Sequence, residues 1–220
     1  MSEESSRRGD TTGNTYTDLG AATPEAYAIS SASRRLAREV IGDATPEDRI
    51  RQRASVAVGD FAMADLLRFS GDPIAAGLRA LGASAPIVVD IRMVEAGILR
   101  KGHESEIVCA LDFGADLAKE RGITRTSAGF LALAGRLEGA IVVIGNAPSA
   151  LLQVCGLIRS GISPALVIGT PVGFVKAAES KEELRALGVP SVSNEGTRGG
   201  TPVAVAAINE IITIFAEGSG

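Results

Sequence analysis

The sequence predicts an α/β domain in which a parallel β-sheet lies between two layers of helices. Three observations lead there. From residue 86 onward, short β-branched runs alternate with segments of helical length. Two of these runs end in a glycine followed by a polar residue, Gly145-Asn146 and Gly169-Thr170, as a strand-to-loop-to-helix unit requires. The composition is 45% apolar but only 4% aromatic, with no tryptophan, which suits an aliphatic, alanine-rich core of helices packed on buried strands.

At 220 residues the chain has the length of one domain with an ample core. Residues 1–23 are polar and glycine-containing and read as a disordered leader; residues 24–220 read as a single domain. The N-terminal third reads as all-helical. Thr45-Pro46-Glu47-Asp48 offers an N-cap, a first-turn proline and acids at a helix start, and Asp72-Pro73 repeats the device. The strand candidates are 86–91, 106–112, 140–144, 165–168 and 189–192. Helical patterns at 113–121, 126–138, 148–159, 176–187 and 202–217 separate and follow them, with Ser180-Lys181-Glu182-Glu183 read as a capping box. Such alternation implies right-handed crossovers and a three-layer α/β/α arrangement.

The formal net charge of −4 leaves no footprint for nucleic acid. Cys109 and Cys155 have no metal-type spacing and sit in apolar runs, so they read as buried, reduced thiols, and neither a metal site nor a cofactor is expected. Gly139–Ile158 is uncharged and long enough for a bilayer. Asn146, Pro148, Ser149 and Gln153 interrupt it, so a strand, a turn and a helix explain it better than a membrane span. No apolar signal region follows the charged N-terminus, and the expectation is a cytoplasmic protein that binds no membrane.

In an open parallel sheet the ligand crevice forms outside the carboxyl ends of the strands. That places Asp90, Arg92, Asp112, Gly145, Asn146, Gly169, Thr170, Asn194 and Glu195 along one edge. Arg125, Lys176, Lys181 and Arg198 lie close by in sequence. The loop from Glu195 to Pro202 runs straight into a helix, a favourable place for carboxylate or phosphate, but it has neither Walker nor Rossmann spacing. A large ligand with several carboxylates is the sharper reading and solvated loop charge the plainer one. Catalytic signals are few: there is no Ser–His–Asp set and no cysteine beside a base. The lone histidine, His103, sits among charged residues on a loop read as lying at the ligand edge. Asp60 is an acid–base candidate or a helix cap.

Six blocks carry a resemblance. They are GDFAMADLLRFSGDPIAAGLRAL at 59–81, APIVVDIRMVEAGI at 85–98, GITRTSAG at 122–129, VIGNAPSAL at 143–151, PALVIGTPVGFVKAAESKEEL at 164–184 and GTRGGTPVAVAAINE at 196–210. In content and order, from Tyr27 to the C-terminus, the chain resembles the precorrin-8X (cobalt-precorrin-8) methylmutases of corrinoid biosynthesis. The resemblance implies a flavodoxin-like fold, a homodimer and an anionic tetrapyrrole substrate. It implies an isomerisation in which a methyl group moves between adjacent carbons at ring C, giving cobyrinate, or hydrogenobyrinate in the cobalt-free route. Arg125 falls on the family's active-site arginine and Ser33 on its N-terminal substrate-contacting serine. Asp90, Gly145, Asn146, Gly169, Thr170, Gly173 and Arg198 are the further substrate-binding candidates.

The chain departs from the family at one place. The family's acid–base histidine lies three residues before the glycine of the G-D-F block, and here that position is Val56. Valine transfers no proton, and general acid catalysis typically supplies ~10²–10⁴-fold. Three readings follow. Asp60, Ser55 or His103 supplies the proton; or the shift runs on orientation and electrostatics; or the protein is a corrinoid binder or carrier that does not turn its ligand over.

Overall fold

The computed structural model describes residues 23–218, so the leader read at 1–23 lies almost wholly outside the described residues. Along the chain run α1 (Pro24–Ile41), α2 (Pro46–Val58), α3 (Ala62–Leu66), β1 (Leu67–Ser70), α4 (Pro73–Gly82), β2 (Ile87–Val89), α5 (Arg92–Gly97) and β3 (Ile107–Cys109). Then come α6 (Ala115–Arg121), α7 (Arg125–Ala132), β4 (Ile141–Ile144), α8 (Pro148–Arg159), β5 (Leu166–Gly169), α9 (Ala177–Ala186), β6 (Ser191–Asn194) and α10 (Thr201–Gly218). The helix starts follow the local chemistry. Thr45 and Asp48 form a reciprocal capping box on α2, and Asp72 caps α4 ahead of Pro73.

The sheet has the order β1-β6-β5-β4-β2-β3. Its five strands from β2 to β6 are parallel and arranged as in flavodoxin-like sheets, with the strand order reversing between β2 and β4. Side-chain alternation divides the core in two. Ile87, Val89, Ile141, Val143 and Ile168 face a layer built from α2, α4, α5 and α10. Val88, Val142, Ile144 and Val167 face α7, α8 and α9. The uncharged run from Gly139 to Ile158 is β4, its loop and most of α8, buried between these layers. Helix α10 is itself long and apolar enough to cross a bilayer, but more than half of it is buried inside this fold.

Three local expectations are corrected. The N-terminal third is not all-helical: Leu67–Ser70 forms β1, which pairs antiparallel with β6 at the sheet's edge. A four-residue strand directly after a helical turn leaves too short an alternation to see in sequence. Helix α9 starts at Ala177, with Ser180 already inside it donating to the Ala177 carbonyl, so Ser180 is no cap. The third strand ends at Cys109, where Ala110–Asp112 turns into a 3-10 segment.

The N-terminal helices are fastened to the α/β body through one buried carboxylate. Glu210 of α10 is fully buried and accepts from Arg49 Nε at 2.7 Å and Arg53 Nη1 at 3.0 Å, both on α2. Arg53 also donates to Thr213 at 3.2 Å. Removing one partner from a buried pair strands the other charge at a cost of ~3–5 kcal/mol. Glu210→Ala is therefore expected to destabilise by about 3 kcal/mol in denaturant unfolding. Glu106→Ala, which breaks only the exposed pair with Arg136, should cost under ~1 kcal/mol.

Candidate active site

The carboxyl edge of the sheet is organised by Asp90, which follows β2 at the point where strand order reverses. Its side chain is fully buried and accepts from three successive backbone N–H groups after β4: Gly145 at 3.3 Å, Asn146 at 2.8 Å and Ala147 at 3.0 Å. Burial drives this carboxyl above the ordinary carboxylate value, and the three donors offset part of that rise. The consequence for ligand binding is direct. The three amides of the turn before α8 that the sequence offered to an anionic ligand are already occupied, and Asp90 is a buried clamp.

The glycines of the two strand-to-helix units serve packing in the same way. A Cβ on Gly145 would come within 2.9 Å of the Thr201 Cα and 3.0 Å of Val94, so this glycine lets the start of α10 close over β4. Gly169 is buried against Leu184 and Leu151. Thr170 is fully buried; its N–H donates to the Ile144 carbonyl and its own carbonyl accepts from Gly200. Gly173 donates to the Thr197 carbonyl at 3.0 Å, tying the 171–176 loop to the 195–200 loop. Of the GNAP residues only the Asn146 side chain is exposed.

Side chains supply the remaining donors. Arg125 is the first residue of α7, behind the N-cap Thr124. It is exposed, and it donates one hydrogen bond to the Leu111 carbonyl at 2.9 Å. Thr124 lies 2.9 Å from the Ser149 hydroxyl and 2.8 Å from that of Ser127, which joins the Arg125 turn to the GNAP turn. The sequence reading passed over this hydroxyl junction, although Thr124 precedes a helical run as an N-cap should. Arg92 is engaged by Glu95 at 2.6 Å and by Asp112.

An apolar groove of about 200 Å³ opens between α2 and the N-terminal half of α10. Val56, Ala57, Pro202, Val205 and Ala206 form its walls, with Arg34, Gln52, Arg53 and Asn209 among them. Val56 is 37% exposed, so this position faces the groove and is not buried core. The polar members are largely spoken for. Gln52 donates to the Gly42 carbonyl, Arg53 holds Glu210, and Asn209 bridges Gly97 and Leu99. Asp60 follows the α2 C-cap and pairs with Arg198, bringing the end of α2 onto the loop that leads into α10. The other oxygen of Asp60 accepts from Ala62 N–H at 2.9 Å. Asp60 and Arg198 thus sit together beside the groove, joined to each other.

Of the other candidates, Ser33 and Ser55 adjoin groove residues in the chain, and His103 lies away from this region. Ser33 lies on α1, next to Arg34, and its hydroxyl donates to the Ile29 carbonyl. Ser55 is buried. His103 is the clearest correction, because its loop precedes β3 and so lies at the opposite edge of the sheet. The adjacent Gly102 packs near Ala216, about 22 Å along α10 from Thr201. The ring is held by the Leu99 carbonyl at 2.7 Å and the Ser105 N–H at 3.1 Å. A segment that runs from a helix into a parallel strand lies at the strands' amino edge, and residues 98–106, between α5 and β3, are such a segment. Both cysteines are buried and free, and burial raises both thiols, Cys155 to about 12, so neither is a thiolate nucleophile at neutral pH.

Comparison with known proteins agrees with this architecture. A family model for precorrin-8X methylmutase matches residues 28–214. The cobalt-precorrin-8 methylmutase of Methanocaldococcus jannaschii is 40% identical over 206 residues, covering 88% of this chain and 96% of that protein. The precorrin-8X methylmutase of Pseudomonas aeruginosa is 41% identical over 195 residues, covering 85% and 93%. The crystal structure of precorrin-8X methyl mutase from Thermus thermophilus superposes with a TM-score of 0.80 at 36% identity, covering 87% of this chain and 97% of that one. With the family model matching residues 28–214 and relatives about 40% identical over most of the chain, the chain belongs to the precorrin-8X methylmutase family.

Proposed function

We propose that this chain is the isomerase of cobalamin biosynthesis that moves a methyl group between adjacent carbons at ring C of precorrin-8X or its cobalt form. The reaction is an intramolecular rearrangement with no net redox change. It asks the protein to hold a flat macrocycle ringed by acetate and propionate arms, to orient the migrating carbon and to exclude water. The observation that carries the reading is the groove beside the crevice. It presents aliphatic walls suited to a ring edge, and the position that the family gives to its acid–base histidine, here Val56, lines it. With the amides of the GNAP turn consumed by Asp90, the carboxylate arms fall to side-chain donors: Arg125, the amide of Asn146, and Arg198 at the end of α2.

The charged side chains lining the groove are the guanidinium groups of Arg34 and Arg53. The reading therefore has the methyl shift run on orientation and on guanidinium electrostatics, with no histidine proton. Residues 24–220 act in it as one methylmutase-like domain. It further has the chain working as a cytoplasmic homodimer. The exposed apolar side chains Ile29, Leu36 and Val40 on α1, together with Phe174 and Val175, support the pairing, since a second copy would remove them from water. Free, buried cysteines accord with a reducing compartment.

Anaerobic incubation with cobalt-precorrin-8 or precorrin-8X tests the function directly. The expected result is a product of unchanged mass with the absorbance of a corrin; an unchanged spectrum at enzyme-level concentrations rules it out. Val56→His places an imidazole in a partly open groove, so stability should stay within ~0.5 kcal/mol of the parent. Turnover should rise, by up to ~10²-fold if the added acid reaches the macrocycle. A variant that fails to fold would show that residue 56 is core. Arg125→Lys keeps charge but loses the planar fork, and kcat/KM is expected to fall by ~10–100-fold. Arg121→Lys, at the exposed last residue of α6, should leave it unchanged.

A further inference from the structure

Lys181 is fully buried in α9, a rare condition for a lysine, and no carboxylate among the described residues pairs with it. Its Nζ donates to the backbone carbonyl of Arg198 at 2.7 Å. The Asn194 side-chain amide, at the end of β6, donates to the same oxygen at 2.5 Å. Two buried donors from different elements thus converge on one carbonyl in the middle of a glycine-rich segment whose other backbone ties, Thr197 to Gly173 and Gly200 to Thr170, lie on either side of it. Gly196, Gly199 and Gly200 all have positive φ, and a Cβ on Gly199 would strike the Thr170 carbonyl at 2.4 Å. Past this carbonyl the Arg198 guanidinium reaches Asp60 on the far side of the loop.

An ammonium kept out of water is costly, and burial, with Arg185 adding repulsion, pushes Lys181 down to about 8. Arg185 turns instead to the Ser193 hydroxyl at 3.1 Å. A methionine would fill much of the same space without the penalty, so the lysine's contribution lies in the hydrogen bond it donates.

We propose that Lys181 is a positioning residue for the reaction: by fixing the Arg198 carbonyl it holds the Arg198 guanidinium at the Asp60 end of the apolar groove, where it receives a carboxylate arm of the substrate. This rests on the methylmutase reading for the ligand, but the coupling between Lys181 and the 195–200 loop does not depend on it. Lys181 touches neither substrate nor reacting atoms; it acts through Arg198.

The test compares the full-length parent with Lys181→Met, Lys181→Gln, Arg198→Ala and the double variant Lys181→Met/Arg198→Ala. Amide exchange in residues 195–200, measured without ligand, should quicken by at least about 10-fold in Lys181→Met. KM, and the dissociation constant for hydrogenobyrinate read by absorbance titration, should rise about 10-fold with kcat within about 3-fold. Lys181→Gln, which keeps a donor, should recover part of that loss. In the Arg198→Ala background the methionine should add less than about 2-fold. Parent-like exchange in the loop, unchanged binding with a loosened loop, or full additivity with Arg198→Ala would each overturn the proposal. If Lys181→Met does not fold, Lys181→Gln and its Arg198→Ala combination decide the same question. A parent that neither binds hydrogenobyrinate nor turns over substrate refutes the methylmutase reading instead, before any variant is compared.

Discussion

The site depends on one buried carboxylate. Asp90 stands where strand order reverses and takes three backbone N–H groups from the loop after the neighbouring strand β4, so the two lips of the crevice are a single hydrogen-bonded unit. Each of those donors would cost ~1–3 kcal/mol if buried unpaired, which is why the clamp tolerates the burial of a charge. Around it the backbone can pack without side chains between. Gly145 brings α10 onto β4, and Thr170 and Gly200 close the neighbouring loops on each other. Most polar groups of the crevice floor satisfy one another, while Asn194 Oδ1 at the end of β6 has no hydrogen-bond partner among the described residues.

That internal satisfaction decides how such a protein binds an anionic ligand. A strand-to-helix turn with free amides would be a general anion site. Here three of the amides are taken by Asp90, and in the proposed reading recognition falls to guanidinium and amide side chains set around an apolar groove. Planar forks read carboxylates with directionality that a backbone nest lacks. A macrocycle with many similar arms needs that directionality if one ring edge is to meet the groove. Two fastenings bring the groove's walls together. Glu210 draws α2 onto α10 from within the core, and Asp60 with Arg198 joins the end of α2 to the loop before α10. Val56 sits on the wall between them, in an environment that favours an aliphatic side chain as readily as an imidazole.

Much of the fold and some of the site were legible in the residues. The β-branched runs at 140–144 and 165–168 are strands because buried parallel strands need side chains that fill both faces. Thr45 and Asp72 cap helices because their oxygens reach the first free N–H groups. Arg125 was named from the resemblance, and the fold puts it, exposed, at the head of α7 with one hydrogen bond to the Leu111 carbonyl. His103 was read at the ligand edge, but a loop that enters a parallel strand lies at the amino edge, and this one enters β3. β1 was missed because four residues bordered by a helix carry no readable period.

The sequence by itself determined the alternation of strands and helices, the aliphatic core, the caps and the family, since these depend on periodicity and on chemistry within a few residues. The tertiary structure alone decided which polar groups remain available. Asp90 reads as a crevice acid until the loop 55 residues later wraps its N–H groups around it. Lys181 reads as a solvated charge until α9 turns it inward to the Arg198 carbonyl. Hydrogen-bond satisfaction is settled between segments distant in sequence, so a donor or acceptor is free for ligand only after the whole chain has chosen its partners.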